Sequence, residues 1–389
     1  MSEMGHSKKL MIIMLLTNPF NSDSRVYKEA KTLVKNGHNV TIFAWDREGK
    51  YPEKEDIEGI KIRRLHLRAP YGLPFYLLFI IPILWAKMMF RLFREDFDVV
   101  HCHDIDTLIP GYLAGKLKKK KVIYDAHEPL YYGHFHGPFK MITFAAGIIE
   151  RYLCKRVDQV FVTSPYQFKK YKTYKVANVV EILNYPELTC FARNEEKRSN
   201  GMVIIGRIGR IEEHMGIEEI IESVKYLGKI KYNIKLMLLG SVYDNYRSKF
   251  DQLLFRGGKY VEYIRPVPCQ DIPKYYQKMD ISIMLYKNTE NNREIYPIKL
   301  FESMAAGVPV IASNVGGTKN IIMKNKCGII IDDPSQVKIT GALKRLIDDG
   351  AARSEYGSNG RKAFEDEYNW GSEENKLINA YEGMIQAKA

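Results

Sequence analysis

The stretch EIYPIKLFESMAAGVPVIA, residues 294–312, decides the fold of this chain. Residues 299–306 are good helix formers and therefore predict a helix. Gly307 is expected to end it, because glycine adopts the left-handed C-terminal conformation at the lowest cost. After Pro309, residues 310–312 predict a short buried strand. The stretch therefore predicts a loop, a helix, a turn and a strand in succession.

Two glutamates mark this stretch, one before the predicted helix and one inside it. They are Glu294 and Glu302, eight positions apart. Helix N-termini attract oxyanions, so a carboxylate there fits poorly beside a phosphate. We expect both glutamates to accept hydrogen bonds from neutral hydroxyls, such as those of a ribose or a hexose. Lys299 lies between them, where its ammonium group is predicted to face a phosphate. Together these residues indicate a sugar nucleotide as the ligand.

With the string P-x-K-L-F-E-S-M-A-A-G-x-P-V-I, the stretch resembles the signature of the retaining glycosyltransferases of family 4, or glycosyl transferases group 1. Other stretches resemble the same family in the expected order over nearly the whole chain. The resemblance implies the GT-B fold, an α/β architecture of two Rossmann-like domains that face each other across a cleft. The implied parts are an acceptor domain (1–192), a nucleotide-sugar donor domain (193–366) and a C-terminal helix that packs back on the first domain (367–389).

The bulk composition agrees with two domains, since 389 residues exceed one ordinary core. The 46% hydrophobic and 27% charged residues are typical of a soluble globular protein. Five scattered cysteines, odd in number, predict free thiols in a reducing compartment. No signal peptide is recognisable, so we expect a cytoplasmic protein. The net charge of +13 predicts an anionic partner: nucleic acid, anionic lipid or a phosphate-bearing substrate.

An apolar segment with a basic continuation predicts peripheral contact with the cytoplasmic face of a membrane. Residues 73–86 carry no charge, but they are shorter than the roughly 20 residues that span a bilayer. The strands predicted on either side belong to one sheet, so the chain cannot cross a bilayer between them. Basic residues follow on one helix face, namely Lys87, Arg91 and Arg94. We expect residues 73–94 and the lysine cluster 116–121 to contact anionic lipid. A core helix and a solvated turn are the alternatives.

Polar side chains end two predicted strands of the first domain, residues 98–104 and 121–128. Such strand ends form the rim of a cleft, where catalytic groups concentrate. Zinc binding by the histidines is disfavoured, because no thiolate set completes a site. The resemblance implies that His127 lies beside the donor sugar and that Asp104 and Glu128 lie nearer the acceptor. A structural histidine is the alternative for His127.

The first strand and helix also depart from the usual family pattern. In place of a glycine-rich loop, the chain has Asn21-Ser22-Asp23-Ser24-Arg25. The segment resembles the D-x-R-V-Y-x-E-A variant of the family, in which Arg25 is interpreted as a phosphate contact. The alternative is a helix cap with a solvated arginine.

The second domain opens with a strand, residues 202–207, after which the family has an arginine and a lysine that hold the diphosphate. This chain has Arg207 and Arg210 but no lysine before Gly216. Arginine suits bidentate phosphate contact, so both arginines are predicted contacts, with exposed arginines as the alternative. Further on, the backbone amides of Gly316 and Gly317 are expected to meet a phosphate.

One substitution limits what the resemblance implies about the sugar. The family has glycines just after the first glutamate, whereas this chain has Ile295-Tyr296-Pro297. Pro297 has no N–H to donate, so the sugar preferences of the family do not transfer.

Following the resemblance, we interpret the chain as a retaining, metal-independent hexosyltransferase with His127 and Glu294 as catalytic residues. The co-substrate is expected to be a UDP- or GDP-linked sugar, with a glycan or lipid-linked acceptor, in polysaccharide or glycolipid biosynthesis. Glu302 would bind the ribose, and the cations Arg207, Arg210 and Lys299 would stabilise the leaving diphosphate, so no metal is expected. The alternatives are a GT-B epimerase or phosphorylase, an inactive relative, and a basic binding module, although no nucleic-acid motif is recognisable.

Overall fold

The computed structural model describes residues 9–21, 23–70, 74–127, 139–191, 201–287 and 296–386. The chain divides into two compact units. Unit 1 comprises the residues up to Leu183 and those from Glu373 onward, and unit 2 runs from Asn184 to Ser372. The sequence placed this boundary at 192/193, nine residues later.

The earlier boundary has a physical reason in side-chain packing. The ring of Tyr185 packs against that of Phe301 with centroids 4.6 Å apart, and the carbonyl of Phe191 accepts a hydrogen bond from Arg361. Both partners belong to unit 2, so the segment that follows Leu183 is held by the second core.

Unit 1 is built on an eight-stranded sheet in the order β3-β4-β2-β1-β5-β6-β7-β8. Its strands are β1 (Met11–Leu16), β2 (Asn39–Asp46), β3 (Lys54–Ile57), β4 (Ile60–His66), β5 (Val99–His103), β6 (Lys121–Ala126), β7 (Gln159–Val162) and β8 (Val179–Glu181). All pairs are parallel except β3 with β4. The central strands are buried, as expected of a parallel sheet covered on both faces. The helices of this part are α1 (Ser24–Lys35), α2 (Pro74–Arg94), α3 (Ile105–Leu117), α4 (Phe139–Leu153) and α5 (Pro165–Thr173).

Unit 2 has a six-stranded parallel sheet in the order β11-β10-β9-β12-β13-β14. Its strands are β9 (Val203–Ile208), β10 (Ile234–Leu239), β11 (Val261–Ile264), β12 (Ile281–Met284), β13 (Val310–Ser313) and β14 (Gly328–Ile331). The helices that follow in the chain are α6 (Ile217–Lys229), α7 (Arg247–Gly257), α8 (Ile272–Tyr276), α9 (Ile298–Ala305), α10 (Thr318–Asn325), α11 (Gln336–Asp348), α12 (Gly350–Asp366) and α13 (Trp370–Gln386). The predicted helix and strand of the signature are confirmed as α9 and β13, and Gly307 between them has φ 68°.

From Glu373 onward, α13 packs on unit 1. The carboxylate of Glu373 accepts a hydrogen bond from the backbone N–H of Leu183 (2.9 Å). Farther along the helix, the hydroxyl of Tyr381 lies 2.9 Å from Nδ1 of His101, inside the sheet core. Polar contacts therefore fix the C-terminal helix at both ends of this stretch.

The apolar segment and its basic continuation form one helix, α2, which continues through Pro82. Within the described residues, no helix combines the length and apolar character needed to cross a lipid bilayer.

Candidate functional site

Unit 2 has a topological switch point between β9 and β12. From β9 the chain adds β10 and β11 on one side of the sheet, and from β12 it adds β13 and β14 on the other side. Doubly wound sheets bind ligands outside the carboxyl ends of their strands at such a point. Two glycines bring the backbone close together here, since a Cβ on Gly240 would lie 2.0 Å from the carbonyl oxygen of Gly209. Gly240 also has φ 146°, which side chains rarely tolerate. The close approach of the two backbones at this carboxyl edge of the sheet, where β9 and β10 end, therefore requires glycine at position 240.

Arg207 lies in β9 at this edge and is only 4% exposed. Its Nη1 donates to the carbonyl of Arg210 (2.9 Å), and its Nη2 contacts the sulfur of Met215. Its Nε is buried and has no hydrogen-bond partner among the described residues, and none of their carboxylates forms an ion pair with this guanidinium. Burial lowers the pKa of Arg207. A buried cation with an unused donor is an unfavourable arrangement unless an anion completes it.

The second predicted phosphate contact, Arg210, has a different environment. Its side chain is exposed, and its guanidinium carbon lies 5.5 Å from the ring centroid of Tyr243. Only its backbone carbonyl reaches Arg207. The structure thus gives the two arginines different positions, one inside the edge of the sheet and one on the surface.

The signature helix α9 carries two charged side chains that contact each other. The ammonium group of Lys299 lies 3.0 and 2.9 Å from the two carboxylate oxygens of Glu302. The Lys299 side chain is 30% exposed and that of Glu302 is 14% exposed. The Cε atom of Lys299 would lie 3.7 Å from a Cβ on Gly209, so this side chain reaches the loop after β9. Lys299 and Glu302 are therefore brought to the same edge as Arg207.

Buried hydroxyls hold α9 in place around Glu302. Ser303 donates to the hydroxyl of Ser282 in β12 (2.8 Å). Burial raises the pKa of Tyr276 well above its usual value, and its hydrogen bond to the Glu302 carboxylate adds to the shift. Tyr276 therefore remains a neutral hydroxyl beside Glu302 at physiological pH.

Gly316 and Gly317 form the turn between β13 and α10, with φ values of 52° and 89°. Gly317 caps the N-terminus of α10, where backbone N–H groups are available to an anion. The hydroxyl of Thr318 holds the turn, because it donates to the carbonyl of Ser313 (2.7 Å). A Cβ on Gly317 would lie 3.5 Å from the ring of Tyr296, the residue that precedes the signature proline.

In unit 1, the sequence interpretation of Arg25 needs correction. Arg25 is 3% exposed, and its Nε and Nη2 donate to the two carboxylate oxygens of Asp125 (2.8 and 2.7 Å). Its Nη1 donates to the carbonyl of Ile182 (2.7 Å). Burial opposes ionisation of Asp125, but Arg25 and a hydrogen bond with His103 hold the pKa of this carboxyl well below its usual value. The hydrogen bonds of this guanidinium are therefore made to buried groups, and it is not available to a phosphate.

Four buried side chains beside Arg25 bring metal-ligand atoms within 4.8 Å of one another: Glu29, His101, His103 and Asp125. The guanidinium of Arg25 lies among them, 3.0 Å from Glu29 and 2.7 Å from Asp125. It already supplies the positive charge that a metal ion would supply, so this donor set does not favour a cation. Burial raises the pKa of Glu29 to about 7, against the attraction of Arg25.

Above this network, Asp104 follows β5 and His127 follows β6. The backbone N–H of His127 donates to Oδ1 of Asp104 (3.2 Å), and Oδ2 of Asp104 lies 3.4 Å from Nε2 of His127. Both side chains are partly exposed, unlike the network beneath them. The two other predicted site residues, Glu128 and Glu294, lie outside the described residues.

Profiles of two known families match this chain in succession. The profile described as Glycosyltransferase Family 4 matches residues 23–184, and that described as Glycosyl transferases group 1 matches residues 191–363. The chain belongs to the group 1 glycosyltransferases.

Some relatives of this glycosyltransferase match most of its length. A protein described as an uncharacterized glycosyltransferase of Methanocaldococcus jannaschii is 24% identical and covers 90% of this chain and 91% of its own. Among solved structures, a sucrose-phosphate synthase of Thermosynechococcus elongatus matches with a TM-score of 0.78 and 17% identity over 97% of this chain and all of its own. HepE of Anabaena, solved with UDP and glucose, has a TM-score of 0.72 and 12% identity over 96% and 99%. These likenesses show the GT-B fold.

Sequence reasoning missed several residues around the candidate site. Tyr276, whose side chain forms a hydrogen bond with Glu302, lies in a segment with no recognisable motif. Glu29 and Asp125 were not predicted as partners of Arg25, although all three belong to quoted motifs. The pairing could not be predicted because Arg25 and Asp125 lie 100 positions apart and meet only through the strand order.

Proposed function

We propose that this glycosyltransferase is a retaining enzyme that transfers a hexose-type sugar from a nucleotide sugar to a glycan or lipid-linked acceptor. The observation that carries the proposal is the buried guanidinium of Arg207, at the edge that also holds Lys299 and Glu302. Its Nε has no partner in the part of the chain that the structure describes. A diphosphate would complete the hydrogen bonds of that guanidinium and neutralise its charge. A neighbouring carboxylate would accept hydrogen bonds from a ribose.

The diphosphate contacts follow from position and charge. Arg207 and Lys299 would neutralise the leaving nucleoside diphosphate as the bond to the sugar breaks. The amides of Gly316 and Gly317, at the N-terminus of α10, would donate further hydrogen bonds to it. Because the exposed guanidinium of Arg210 is not held at this edge, we assign it a secondary contact with the diphosphate. With fixed cations in this role, the reaction would not need a metal ion.

The remaining roles follow the family resemblance. Glu302 would bind the ribose, and Glu294 would bind the hexose hydroxyls. His127 would orient the donor sugar, while Asp104 and Glu128 would lie on the acceptor side. The complex of the Anabaena protein with UDP and glucose supports a UDP-linked donor, and GDP is the other nucleotide to test.

The ribose assignment predicts that Glu302→Gln loses affinity for the nucleotide about 10–100-fold, because hydrogen bonds to a charged group are worth roughly 1.5–3 kcal/mol. Thermal unfolding of the wild type with UDP, GDP, ADP and CMP would identify the nucleotide. A ligand at one hundred times its Kd adds about 2.7 kcal/mol of stability.

The matched control for this prediction is Glu222→Gln, which breaks a half-buried Lys–Glu pair with the same i, i+3 spacing on α6 and a contact with Arg256. We expect it to keep the full nucleotide-induced shift. NMR of the transfer product would then report whether the anomeric configuration is retained. If an oligonucleotide stabilised the protein and no nucleotide did, the proposed transferase activity would be contradicted and a nucleic-acid-binding module would be supported.

We also propose that unit 1 contacts an anionic membrane where a lipid-linked acceptor would be found. α3 packs against both α2 and α4, and large apolar side chains point to solvent from these outer helices. Among them, Phe79 in α2 is 73% exposed and Phe144 in α4 is 62% exposed. The lysine cluster has partners inside unit 1, since Lys118 donates to the carbonyl of Leu92 and Lys121 pairs with Asp158. The cluster therefore has the smaller part in this contact.

The membrane proposal predicts that the double variant Phe79→Glu/Phe144→Glu binds anionic vesicles about 10²–10⁴-fold more weakly than wild type, because each of the two buried phenylalanines contributes roughly 1.5–3 kcal/mol. Co-sedimentation with phosphatidylglycerol vesicles measures this. Phe255→Glu, at an 89% exposed site on α7, is the control. Equal losses in both variants, or none in the double variant, would refute a docking surface on α2 and α4.

A further inference from the structure

Asp104 has a backbone conformation that non-glycine residues seldom adopt. Its φ is 61° and its ψ is 169°, a region open essentially to glycine alone. Such conformations persist only where the surrounding structure holds them, and they concentrate at functional sites. The strain at Asp104 therefore requires both a restraint and a reason.

The restraint comes from both sides of the residue. The N–H of Asp104 donates to the carbonyl of Asp125 (2.9 Å), which extends the β5–β6 ladder by one residue. Its carbonyl accepts from the N–H of Thr107 in the first turn of α3 (3.2 Å). The Asp125 side chain is in turn fixed by the two-pronged contact with Arg25. Strand pairing and helix start together force the chain through this conformation.

The reason lies in the side chain of Asp104. An aspartate at the start of a helix ordinarily caps it by accepting from a backbone N–H two or three residues ahead. Asp104 occupies the capping position of α3 and makes no such hydrogen bond. Instead its carboxylate turns to the end of β6, where it accepts from the N–H of His127 and lies 3.4 Å from Nε2 of that ring. Nε2 is buried and makes no hydrogen bond to a described residue, so a rotation of the ring toward the carboxylate would turn this contact into one.

We propose that Asp104 is a positioning residue, and that its strained backbone holds the carboxylate where it fixes the ring of His127. A carboxylate beside Nε2 favours the tautomer that carries its proton on Nε2, which leaves Nδ1 as the acceptor. The proposal rests on the function proposed above, in which His127 acts on the donor sugar. Arg25 and Asp125 support this conformation, because Arg25 fixes Asp125 and the carbonyl of Asp125 accepts the N–H of Asp104.

Two variants separate strain from chemistry. Asp104→Gly removes the carboxylate and relieves the backbone, so we expect the unfolding midpoint to rise by about 2–4 °C. Asp104→Asn keeps the shape but presents an amide to the ring, so it should leave the midpoint unchanged or lower it. Both variants should lower kcat roughly 10–100-fold with little change in KM for the donor, because His127 loses its orientation. The nucleotide-induced stabilisation should stay intact.

The control is Lys231→Gly, at another residue with positive φ (73°), in the turn after α6. It should leave kcat unchanged.

Long-range ¹H–¹⁵N spectra of protein with labelled histidine report the tautomer of His127 without any turnover, and His127→Gln serves to assign its signal. We expect the Nε2–H form in wild type and its loss in Asp104→Asn. An unchanged tautomer in Asp104→Asn, or wild-type kcat in both Asp104 variants, would overturn the proposal. If the wild type transferred no sugar while Asp104→Asn still changed the tautomer of His127, the proposed function would be refuted and the positioning role of Asp104 would stand.

Discussion

Arg207→Met is expected to make the ligand-free protein more stable and to lower sugar transfer about 10²–10³-fold. The guanidinium is buried without a carboxylate partner among the described residues, so its removal relieves a desolvation cost of roughly 1 kcal/mol or more. This corresponds to an unfolding midpoint about 2–4 °C higher in unit 2. The same change removes a fixed positive charge from the leaving diphosphate, where one donor is worth about 2.7–4 kcal/mol of transition-state stabilisation.

Thermal unfolding with and without the identified nucleotide, together with kcat/KM for transfer, checks both parts of this prediction. Arg210→Met is the matched control, since it removes an exposed guanidinium only three positions away, in the loop after β9. We expect it to leave the midpoint unchanged and to lower kcat/KM less than about 10-fold. If Arg207→Met destabilised the free protein and kept the nucleotide-induced shift, Arg207 would be a structural residue.

Arg25→Met is expected to lower the free energy of unfolding of unit 1 by about 3–5 kcal/mol, because it leaves the carboxylate of Asp125 buried without a counter-charge. The pH dependence has a definite sign. The folded pKa of Asp125 lies below its unfolded value, so this stabilisation is present above about pH 4 and is lost as the pH falls through the folded pKa. Urea unfolding of wild type and variant at several pH values measures it.

Two further variants test the cause of this loss. Arg25→Met/Asp125→Leu removes both charges, so it should recover most of the stability lost in Arg25→Met. Arg247→Met breaks an exposed ion pair with Asp251 on α7 and should cost less than about 1 kcal/mol. A loss in Arg25→Met as small as that in Arg247→Met would show that the buried pair contributes little.

Local signals were sufficient for the elements around the signature. The helix formers after Pro297 become α9, and Gly307 adopts the left-handed conformation that ends it. The apolar run after Pro309 becomes β13, which is fully buried. Each of these predictions depends on residues within one turn or one strand of each other, so no distant contact had to be known.

Residue type alone could not separate the arginines of the site. Three arginines follow or end predicted strands, and the sequence predicts a phosphate contact for each: Arg25, Arg207 and Arg210. In the fold, Arg25 binds Asp125, Arg207 is buried with an unused Nε, and Arg210 faces solvent beside Tyr243. Which of them can receive an anion depends on the partners that the sheet brings to each one.

The sequence by itself therefore determined the α/β class, the family and the signature helix, because hydrophobic periodicity, helix formers and glycine stops act over a few residues. Only the tertiary structure decided which charges are paired and where the backbone is strained. Asp125 meets Arg25 across 100 positions, and Asp104 is held between a strand pairing and a helix start. Such contacts arise from strand order, and strand order is a property of the whole sheet rather than of any segment.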